Sequence, residues 1–314
     1  MRPKGSKNKK QYSRVSKLVG ILTKDVLTRE YEICGSMQKM ADKLNVNVDS
    51  IYKYMQLHEI PYEPYYSGIY DCNHNIFGED TERSFYLAGF IAADGSVQYT
   101  KHSGLLKIAL SKKDQSHLEK IKILLESNHP IMNFLVKPSK LVKTSNEDAE
   151  LSIASKIISK DLQRFNIVPN KTLIYTFPQW LIGHPLVNHF MRGYFDGDGS
   201  IYHCRAGKGQ TVKQKSFSII GNEQFIQDYR NILVKNCDIN KTKINARLNI
   251  NTNNTIYAAI YSGNNNIQKI YDFLYKDATI YLDRKRDIFI EKLSPLELYR
   301  PRTNKNITTS NNSA

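Results

Sequence analysis

Two aspartates stand in the same local sequence and could belong to one chemical site. Asp94 lies in the stretch LAGFIAADG, and Asp198 lies in MRGYFDGDG, 104 residues further along the chain. In each stretch, apolar and small residues at helical spacing lead to an Asp-Gly pair, and glycine commonly ends helices. Each aspartate is therefore predicted to lie at the C-terminal end of a helix.

Folding alone does not favour this pair of carboxylates. A carboxylate at a helix C-terminus opposes the helix dipole, and two nearby carboxylates repel each other or share a proton. A divalent cation reverses both penalties, since Mg²⁺ accepts one or two carboxylates and completes its shell with phosphate oxygens. The pair therefore predicts a site for Mg²⁺ or Mn²⁺. The alternative, an Asp-Gly turn before a strand, explains one motif better than two in matching positions.

Small residues predict how the two helices meet. Gly89 and Ala93 are four residues apart, and Gly193 and Gly197 occupy the matching positions of the second motif. Small residues at this spacing form a stripe where another helix backbone can approach closely. Glycine inside a helix costs about 1 kcal/mol relative to alanine and so needs a packing reason. The four residues are predicted to form the interface between the two motif helices.

The order of elements after the first motif repeats after the second. Each motif helix is followed by two strands, a helix, two more strands and a further helix, according to the spacing of apolar residues. This order predicts an α+β fold with two pseudo-symmetric αββαββα halves, over residues 80–178 and 179–300.

The N-terminal segment predicts a separate DNA-binding part. Its first 20 residues contain seven basic side chains and no acidic one, which favours a disordered basic arm over residues 1–30. Two short helical patterns within residues 31–62 predict a small helical, helix-turn-helix-like domain. Its second helix would present Lys53 and Tyr54 to a DNA groove. An ordinary helix pair is the alternative.

Composition indicates the partner and the compartment. Forty-five Lys and Arg against thirty Asp and Glu give a net charge of +15, which favours a polyanion such as nucleic acid. The sequence has neither a long apolar run nor a signal peptide, so we expect no membrane span and an intracellular protein. Four widely spaced cysteines predict free thiols. Residues 63–79 are predicted to be a linker, and residues 301–314 a disordered tail.

The two motifs resemble the signature helices of the LAGLIDADG homing endonucleases, in their single-chain form. The resemblance covers about residues 80–295 and includes NIVPNKT (166–172) and YLDRKRDIF (281–289), which resemble the basic segment that closes each half. It implies saddle-like antiparallel sheets, a monomer, a long specific site on double-stranded DNA, and a staggered cut with 3′ overhangs by metal-dependent phosphodiester hydrolysis. The N-terminal domain is then an accessory DNA grip. The host could be a bacterial or phage-infected cell, with the protein in cytoplasm or nucleoid, or an organelle.

The resemblance also implies roles for individual residues. The acid at the eighth motif position binds the metals, which assigns Asp94 and Asp198, and the metal site also includes Gly95 and Gly199. A basic residue near each scissile phosphate corresponds to Lys171 in the first half.

In the second half the matching basic residue is Lys285, with Arg284 or Arg286 as alternatives. Asp196 has Ala92 as its counterpart in the first motif. It is therefore expected to make a local or solvent contact and to stand outside a symmetric site.

One strand is predicted to carry a polar face for DNA. In KINARLNIN (243–251), apolar residues alternate with Lys243, Asn245, Arg247 and Asn249, so one face would join the core. Arg can pair with guanine and Asn with adenine in the major groove. A solvated sheet edge gives the same alternation, but on a basic protein we interpret the row as DNA readout. Weaker candidates of the same kind are Gln98, Lys107, Tyr202 and His203.

Two other functions stay open at this point. A transcription regulator that uses the same fold as a DNA clamp would be expected to lack the motif acids, and both are present. An intron-splicing maturase would act on RNA, which the sequence does not indicate but leaves open as an additional activity.

Overall fold

A computed structural model describes residues 20–34, 37–60, 70–100, 103–136, 145–205, 213–249 and 254–291. The chain divides into two units between Asp71 and Cys72. Most of the predicted basic arm, residues 63–69 of the predicted linker and the predicted tail lie outside the described residues. Residues 70–79 of that linker are described, and Ile76 and Phe77 among them are buried in the core of the second unit. No helix in the described part of the chain is long and apolar enough to span a membrane.

In the first unit, the described residues form three complete helices around a small core. They are α1 (Lys24–Cys34), α2 (Met37–Leu44) and α3 (Val48–Leu57). The predicted pair corresponds to α2 and α3, and Asn47 caps α3 by accepting a hydrogen bond from Asp49 N at 2.7 Å. The prediction of disorder over residues 1–30 is wrong from Lys24 onward. The helix is stabilised because Leu27 of α1 is fully buried in the core. A single apolar residue forms no periodic pattern, so the sequence did not indicate this helix.

The second unit contains two halves with the predicted order of elements. The first half consists of α4 (Glu82–Asp94), β1 (Gly95–Tyr99), β2 (Gly104–Ser111), α5 (Gln115–Leu124), β3 (Ile131–Val136), β4 (Asn146–Ala154) and α6 (Lys156–Asp161). The second half consists of α7 (Val187–Asp198), β5 (Ser200–Arg205), β6 (Lys213–Gly221), α8 (Glu223–Cys237), β7 (Ile244–Asn249), β8 (Asn254–Ser262), α9 (Asn264–Tyr275) and α10 (Asp283–Ile290). The α+β class with two αββαββα halves is confirmed.

Each half folds its strands into one antiparallel sheet of the same topology. The strand order is β1-β2-β4-β3 in the first half and β5-β6-β8-β7 in the second. Along β2, buried Leu106 and Ile108 alternate with the more exposed Lys107 and Ala109, so one sheet face joins the core. The opposite face of the sheet is not covered by the described helices of this unit. This open face carries most of the polar residues of the strands.

The first motif helix, α4, has a well-defined start and lies deep in the protein. Thr81 and Ser84 form a capping box, with hydrogen bonds of 3.1 Å in each direction. Residues 84–92 are then buried on every side of the helix, as expected for a helix in the centre of a core. This burial leaves only the two ends of α4 near solvent.

Candidate active site

The two motif helices, α4 and α7, pack backbone to backbone. A β-carbon on Gly89 would stand 2.0 Å from the carbonyl oxygen of Phe190, and one on Gly193 would stand 2.1 Å from that of Tyr86. Neither position can hold a side chain at this separation. At Gly197 the nearest atom would be the β-carbon of Ala93, at 2.4 Å. All four small residues of the two stripes therefore lie between the helices.

This packing brings Asp94 and Asp198 to the same end of the helix pair. A β-carbon on Gly197 would stand 3.2 Å from Oδ2 of Asp94, so this carboxylate lies beside the last turn of α7. Asp94 is exposed and Asp198 is half-buried. Although Asp94 reaches solvent, desolvation by the surrounding protein, followed by repulsion from Asp198, raises its pKa to about 6. Burial also raises the pKa of Asp198.

A buried lysine from each half approaches these helix ends. Lys171 is 8% exposed and donates a hydrogen bond to the carbonyl oxygen of Gly95. Lys285 is 3% exposed and donates to the carbonyl oxygens of three consecutive α7 residues, Phe195, Asp196 and Gly197, at 2.7, 2.6 and 2.9 Å. Burial lowers the pKa of both ammonium groups, and that of Lys285 falls to about 8. The charges of the two motif aspartates oppose this lowering.

The two arginines beside Lys285 point elsewhere. Arg284 donates from Nε and Nη2 to the two carboxylate oxygens of Asp114, at 2.7 and 2.9 Å. Arg286 lies over the ring of Tyr281, with 4.5 Å between the guanidinium carbon and the ring centroid. Among these three neighbours, Lys285 is the residue whose charged group reaches the end of a motif helix.

Gly95 and Gly199 end the two helices at positions that have no room for a β-carbon. Their φ values are −88° and −79°, so neither adopts the left-handed conformation common in helix-ending glycines. A β-carbon would stand 2.6 Å from Cγ2 of Ile91 at the first position and 2.1 Å from Cδ2 of Phe195 at the second. The glycines allow the chain to turn directly from helix into strand beside each aspartate.

The donor atoms at this end of the helices fit a hard divalent cation. Two carboxylates of raised pKa stand together, which is the arrangement that a bound cation would relieve. Within the part of the chain that the structure describes, no group of three or more His, Cys, Asp or Glu is placed to hold a metal ion. An ion between Asp94 and Asp198 would therefore take its other ligands from water, backbone carbonyls or a phosphate.

The open face of the first sheet carries Gln98 and Lys107. Gln98 is exposed, whereas Lys107 is half-buried and donates to Oε1 of Glu150 at 3.0 Å. Ser152 donates to the same oxygen at 2.7 Å. Glu150 offsets the positive charge of Lys107, and no pattern in the sequence indicates this pairing.

In the second sheet, Tyr202 and His203 lie on opposite faces. Tyr202 is 41% exposed on the open face. His203 pairs in register with Lys215, whose side chain is buried and donates to the carbonyl oxygens of Phe289 and Glu291 at the end of α10. The prediction that His203 joins Tyr202 on a DNA-facing surface is wrong, because successive residues of a strand point to opposite faces.

The edge strand β7 carries the other predicted readout residues. Asn245 and Arg247 are exposed and share one face, and Lys243 is exposed just before the strand. The side chain of Asn249 lies outside the described residues. The expected apolar face is incomplete, since Leu248 is 56% exposed. In the N-terminal unit, Lys53 is exposed, whereas half-buried Tyr54 packs against the small core.

Asp196 occupies an unexpected position. It is 1% exposed and accepts hydrogen bonds from Tyr86 Oη at 2.8 Å, Tyr275 Oη at 2.5 Å and Leu282 N at 2.8 Å. The solvent contact considered for Asp196 is therefore wrong, and its contacts are with buried protein groups. The mismatch with Ala92 was the only sequence signal that this residue differs from its counterpart.

Comparisons with known proteins agree with a two-motif arrangement. The family model described as a LAGLIDADG-like domain matches residues 81–132 and 185–274, which contain both motif helices. These matches, together with the paired helices and the duplicated sheets, define a single-chain protein with two LAGLIDADG motifs. Over these residues the chain contains a LAGLIDADG-like domain.

Solved structures of homing endonucleases are similar to this chain. The homing endonuclease I-WcaI bound to its DNA recognition sequence is 16% identical, covering 68% of this chain and 90% of its own, with a TM-score of 0.46. I-GzeII in complex with its DNA target is 15% identical, covering 67% and 88%, with a TM-score of 0.42. I-DmoI in complex with DNA and Ca is 12% identical, covering 66% and 93%, with a TM-score of 0.38. No curated protein sequence matches this chain.

Proposed function

We propose that the protein is a site-specific double-stranded DNA endonuclease that hydrolyses phosphodiester bonds with Mg²⁺ or Mn²⁺ held by Asp94 and Asp198. The observation that carries this proposal is the meeting of the two carboxylates at one accessible end of the helix pair. Their pKa values are raised, so the arrangement is unfavourable for the protein alone. A cation bound between the two carboxylates would offset their repulsion and desolvation. The paired helices would then serve to position the metal ligands.

The side chains of the site divide the work between them. Asp94 and Asp198, when deprotonated, would hold the cation by one carboxylate from each half. A bound divalent cation supplies activation of a water molecule and charge neutralisation at a phosphate. Lys171 and Lys285 keep two positive charges behind the helix ends, where they stabilise the negative charge that develops on a scissile phosphate.

The open faces of the two sheets are the proposed DNA surface. Gln98 and Lys107 in the first sheet, with Tyr202, Asn245 and Arg247 in the second, place amide, hydroxyl and basic groups on these faces. Such groups read base edges or contact phosphates. The net charge of +15 favours association with the DNA backbone at any sequence. Specificity would then come from the strands, and general affinity from the charge.

The finer features of the proposal follow from the resemblance to the LAGLIDADG homing endonucleases. They are a staggered cut with 3′ overhangs, a long target site, action as a monomer, and an intracellular location. The N-terminal unit with Lys53 is proposed to be an accessory DNA grip. A regulator that binds without cutting would have no use for the two motif acids, and their retention favours the enzyme.

A cleavage selection tests the proposal directly. The full chain is incubated with a randomised duplex library in Mg²⁺ or in EDTA, and the new DNA ends are sequenced. We expect ends from one family of sequences, offset between the strands, only in Mg²⁺. The variant carrying Asp94→Asn and Asp198→Asn is the matched control and should produce no ends. Enrichment of bound duplexes without new ends would overturn the endonuclease and favour the regulator. Cleavage of structured RNA alone would also overturn it.

A further inference from the structure

Asp196 is a buried carboxylate that joins three separate elements. Its three donors come from α4 in the first half, from α9 in the second half, and from Leu282 at the start of α10. Burying a carboxylate is expensive unless hydrogen bonds compensate for the lost water. The three donors show that the surrounding protein is organised around this carboxyl group.

The first half has no carboxyl group at the position that matches Asp196. Ala92 occupies the matching position in α4 and is 5% exposed. The motif helix therefore needs no carboxylate at this position in order to pack or to end correctly. The reason for Asp196 must lie in something that only the second half contains.

The element that Asp196 holds in the second half is α10. Its carboxylate accepts from the backbone N–H of Leu282, the residue that caps α10, at 2.8 Å. A carboxylate at this end of a helix is also favoured by the helix dipole. Lys285 lies in the first turn of α10, and its Nζ donates to the backbone oxygen of Asp196 at 2.6 Å. Asp196 therefore contacts the start of α10 through its side chain and accepts a hydrogen bond from Lys285 through its backbone carbonyl.

Lys171 in the first half is held differently. It belongs to a short 3-10 helix (Lys171–Leu173) that follows Asn170, which has a left-handed φ of 57°. Its ammonium group donates to one carbonyl, that of Gly95. The described contacts around Lys171 include no buried carboxylate comparable to Asp196. The two lysines thus depend on different supports.

We propose that Asp196 is a positioning residue for Lys285, so that cleavage of one DNA strand depends on Asp196 and cleavage of the other does not. The proposal rests on the endonuclease function proposed above. Asp196 itself does not contact the DNA, since it is buried. Its effect reaches the reaction through the position of α10.

The test compares the cutting rates of the two strands in the variant Asp196→Asn, which keeps the volume and removes the charge. A duplex with a different fluorophore on each strand is cut in single-turnover reactions with Mg²⁺. We expect one strand to slow by roughly 10- to 100-fold, as for a small displacement of a catalytic group, and the other to stay within about twofold. Nicked duplex should accumulate. The slow strand should be the one that Lys285→Met slows, and Lys171→Met should slow the other.

Tyr275→Phe and Tyr86→Phe serve as matched controls. Each removes one hydroxyl donor from Asp196 and leaves its bond to Leu282 in place, so each should keep the ratio of the two strand rates. Equal slowing of both strands in Asp196→Asn, or the same strand bias in the tyrosine variants, would overturn the positioning role in favour of a general stabilising one.

A second measurement is independent of cleavage. Hydrogen exchange of the α10 amides, in full-length protein without DNA, should be faster in Asp196→Asn than in wild type or Tyr275→Phe. Unchanged exchange in α10 would overturn the proposal. If the wild-type protein cuts no duplex, the endonuclease function fails, and the exchange result still decides whether Asp196 holds α10.

Discussion

Gly193 of α7 lies against the backbone of Tyr86 in α4, where a β-carbon would stand 2.1 Å from the tyrosine carbonyl oxygen. The opposing atom belongs to the main chain and cannot turn aside as a flexible side chain would. The two helices can pack at this distance only because Gly193 has no β-carbon. Because Asp94 and Asp198 end these helices, the same contact sets how close their carboxylates come.

We expect Gly193→Ala to destabilise the protein by about 1 to 3 kcal/mol, the usual cost of overpacking. The loss should appear even though alanine favours helix by about 1 kcal/mol over glycine. Denaturant and thermal unfolding measure the change. Gly78→Ala is the control, since a β-carbon there would meet nothing within 4 Å. Equal stability of the two variants would show that the helices are not in backbone contact.

Asp94→Asn and Asp198→Asn should each reduce double-strand cleavage by roughly 10²-fold or more, a typical cost of losing one charge-stabilising group. Specific DNA binding should be retained, because neither residue lies on the sheet faces. Asp228→Asn is the control, since the hydrogen bonds of this residue with Gln179 and Gln224 are exposed to solvent. Normal cutting of both strands by either motif variant would remove that aspartate from the site.

The raised pKa of Asp94 predicts a definite dependence of stability on pH. Its value of about 6 exceeds the ordinary 3.8, so between these values the folded protein holds a proton that the unfolded chain has released. This carboxyl group therefore makes the cation-free protein less stable as the pH rises from about 4 to about 6. Cleavage should change in the opposite sense and fall about tenfold per unit below pH 6, because the cation needs the deprotonated form.

The contribution of Asp94 is isolated by subtraction. Melting temperatures in EDTA are compared between wild type and Asp94→Asn over this pH range, so that the other acidic groups cancel. The asparagine variant should become the more stable of the two as pH rises. A difference that stays constant, or that changes in the other direction, contradicts the raised pKa.

The ion pair between buried Arg192 and partly exposed Glu82 predicts a large stability loss on truncation. Arg192 is fully buried and donates to Glu82 Oε1 at 2.7 Å. Glu82→Ala leaves this guanidinium without its counter-charge and should cost about 3 kcal/mol. Asp80→Ala, in the half-exposed pair with Arg164, should cost about 1 kcal/mol or less. Similar losses in the two variants would show that Arg192 does not depend on Glu82.

Removal of residues 1–71 tests the N-terminal unit as a DNA grip. The deletion ends at the division between the two units, between Asp71 and Cys72. We expect weaker DNA binding and a shallower salt dependence, since each lost phosphate contact lowers the log-log slope by about 0.9. The cut position should not change. Binding isotherms at several salt concentrations and sequencing of the ends measure both. A shifted cut site would make this unit part of the specificity surface.

The sequence predicted the parts of this molecule that repeat. The Asp-Gly helix ends and the small residues recur after 104 residues, and the strand alternation recurs in the same order after each motif. The position of His203 was mispredicted because it was grouped with Tyr202, although the alternation of a strand separates neighbours. Asp196 could not be placed, because its donors come from residues up to 110 positions away and follow no period. The carbonyl contacts of Lys285 were hidden for the same reason.

The packing of α4 also bears on how the chain is made. Its stripe at Gly89 is covered by Phe190, a residue translated about one hundred positions later. At roughly 5 to 20 residues per second, the ribosome needs about 5 to 20 s to supply that cover. During this interval the first half must carry an apolar central helix with one side open to water. A pulse of protease or a chaperone trap should therefore capture nascent chains that stop before α7 far more readily than the finished protein.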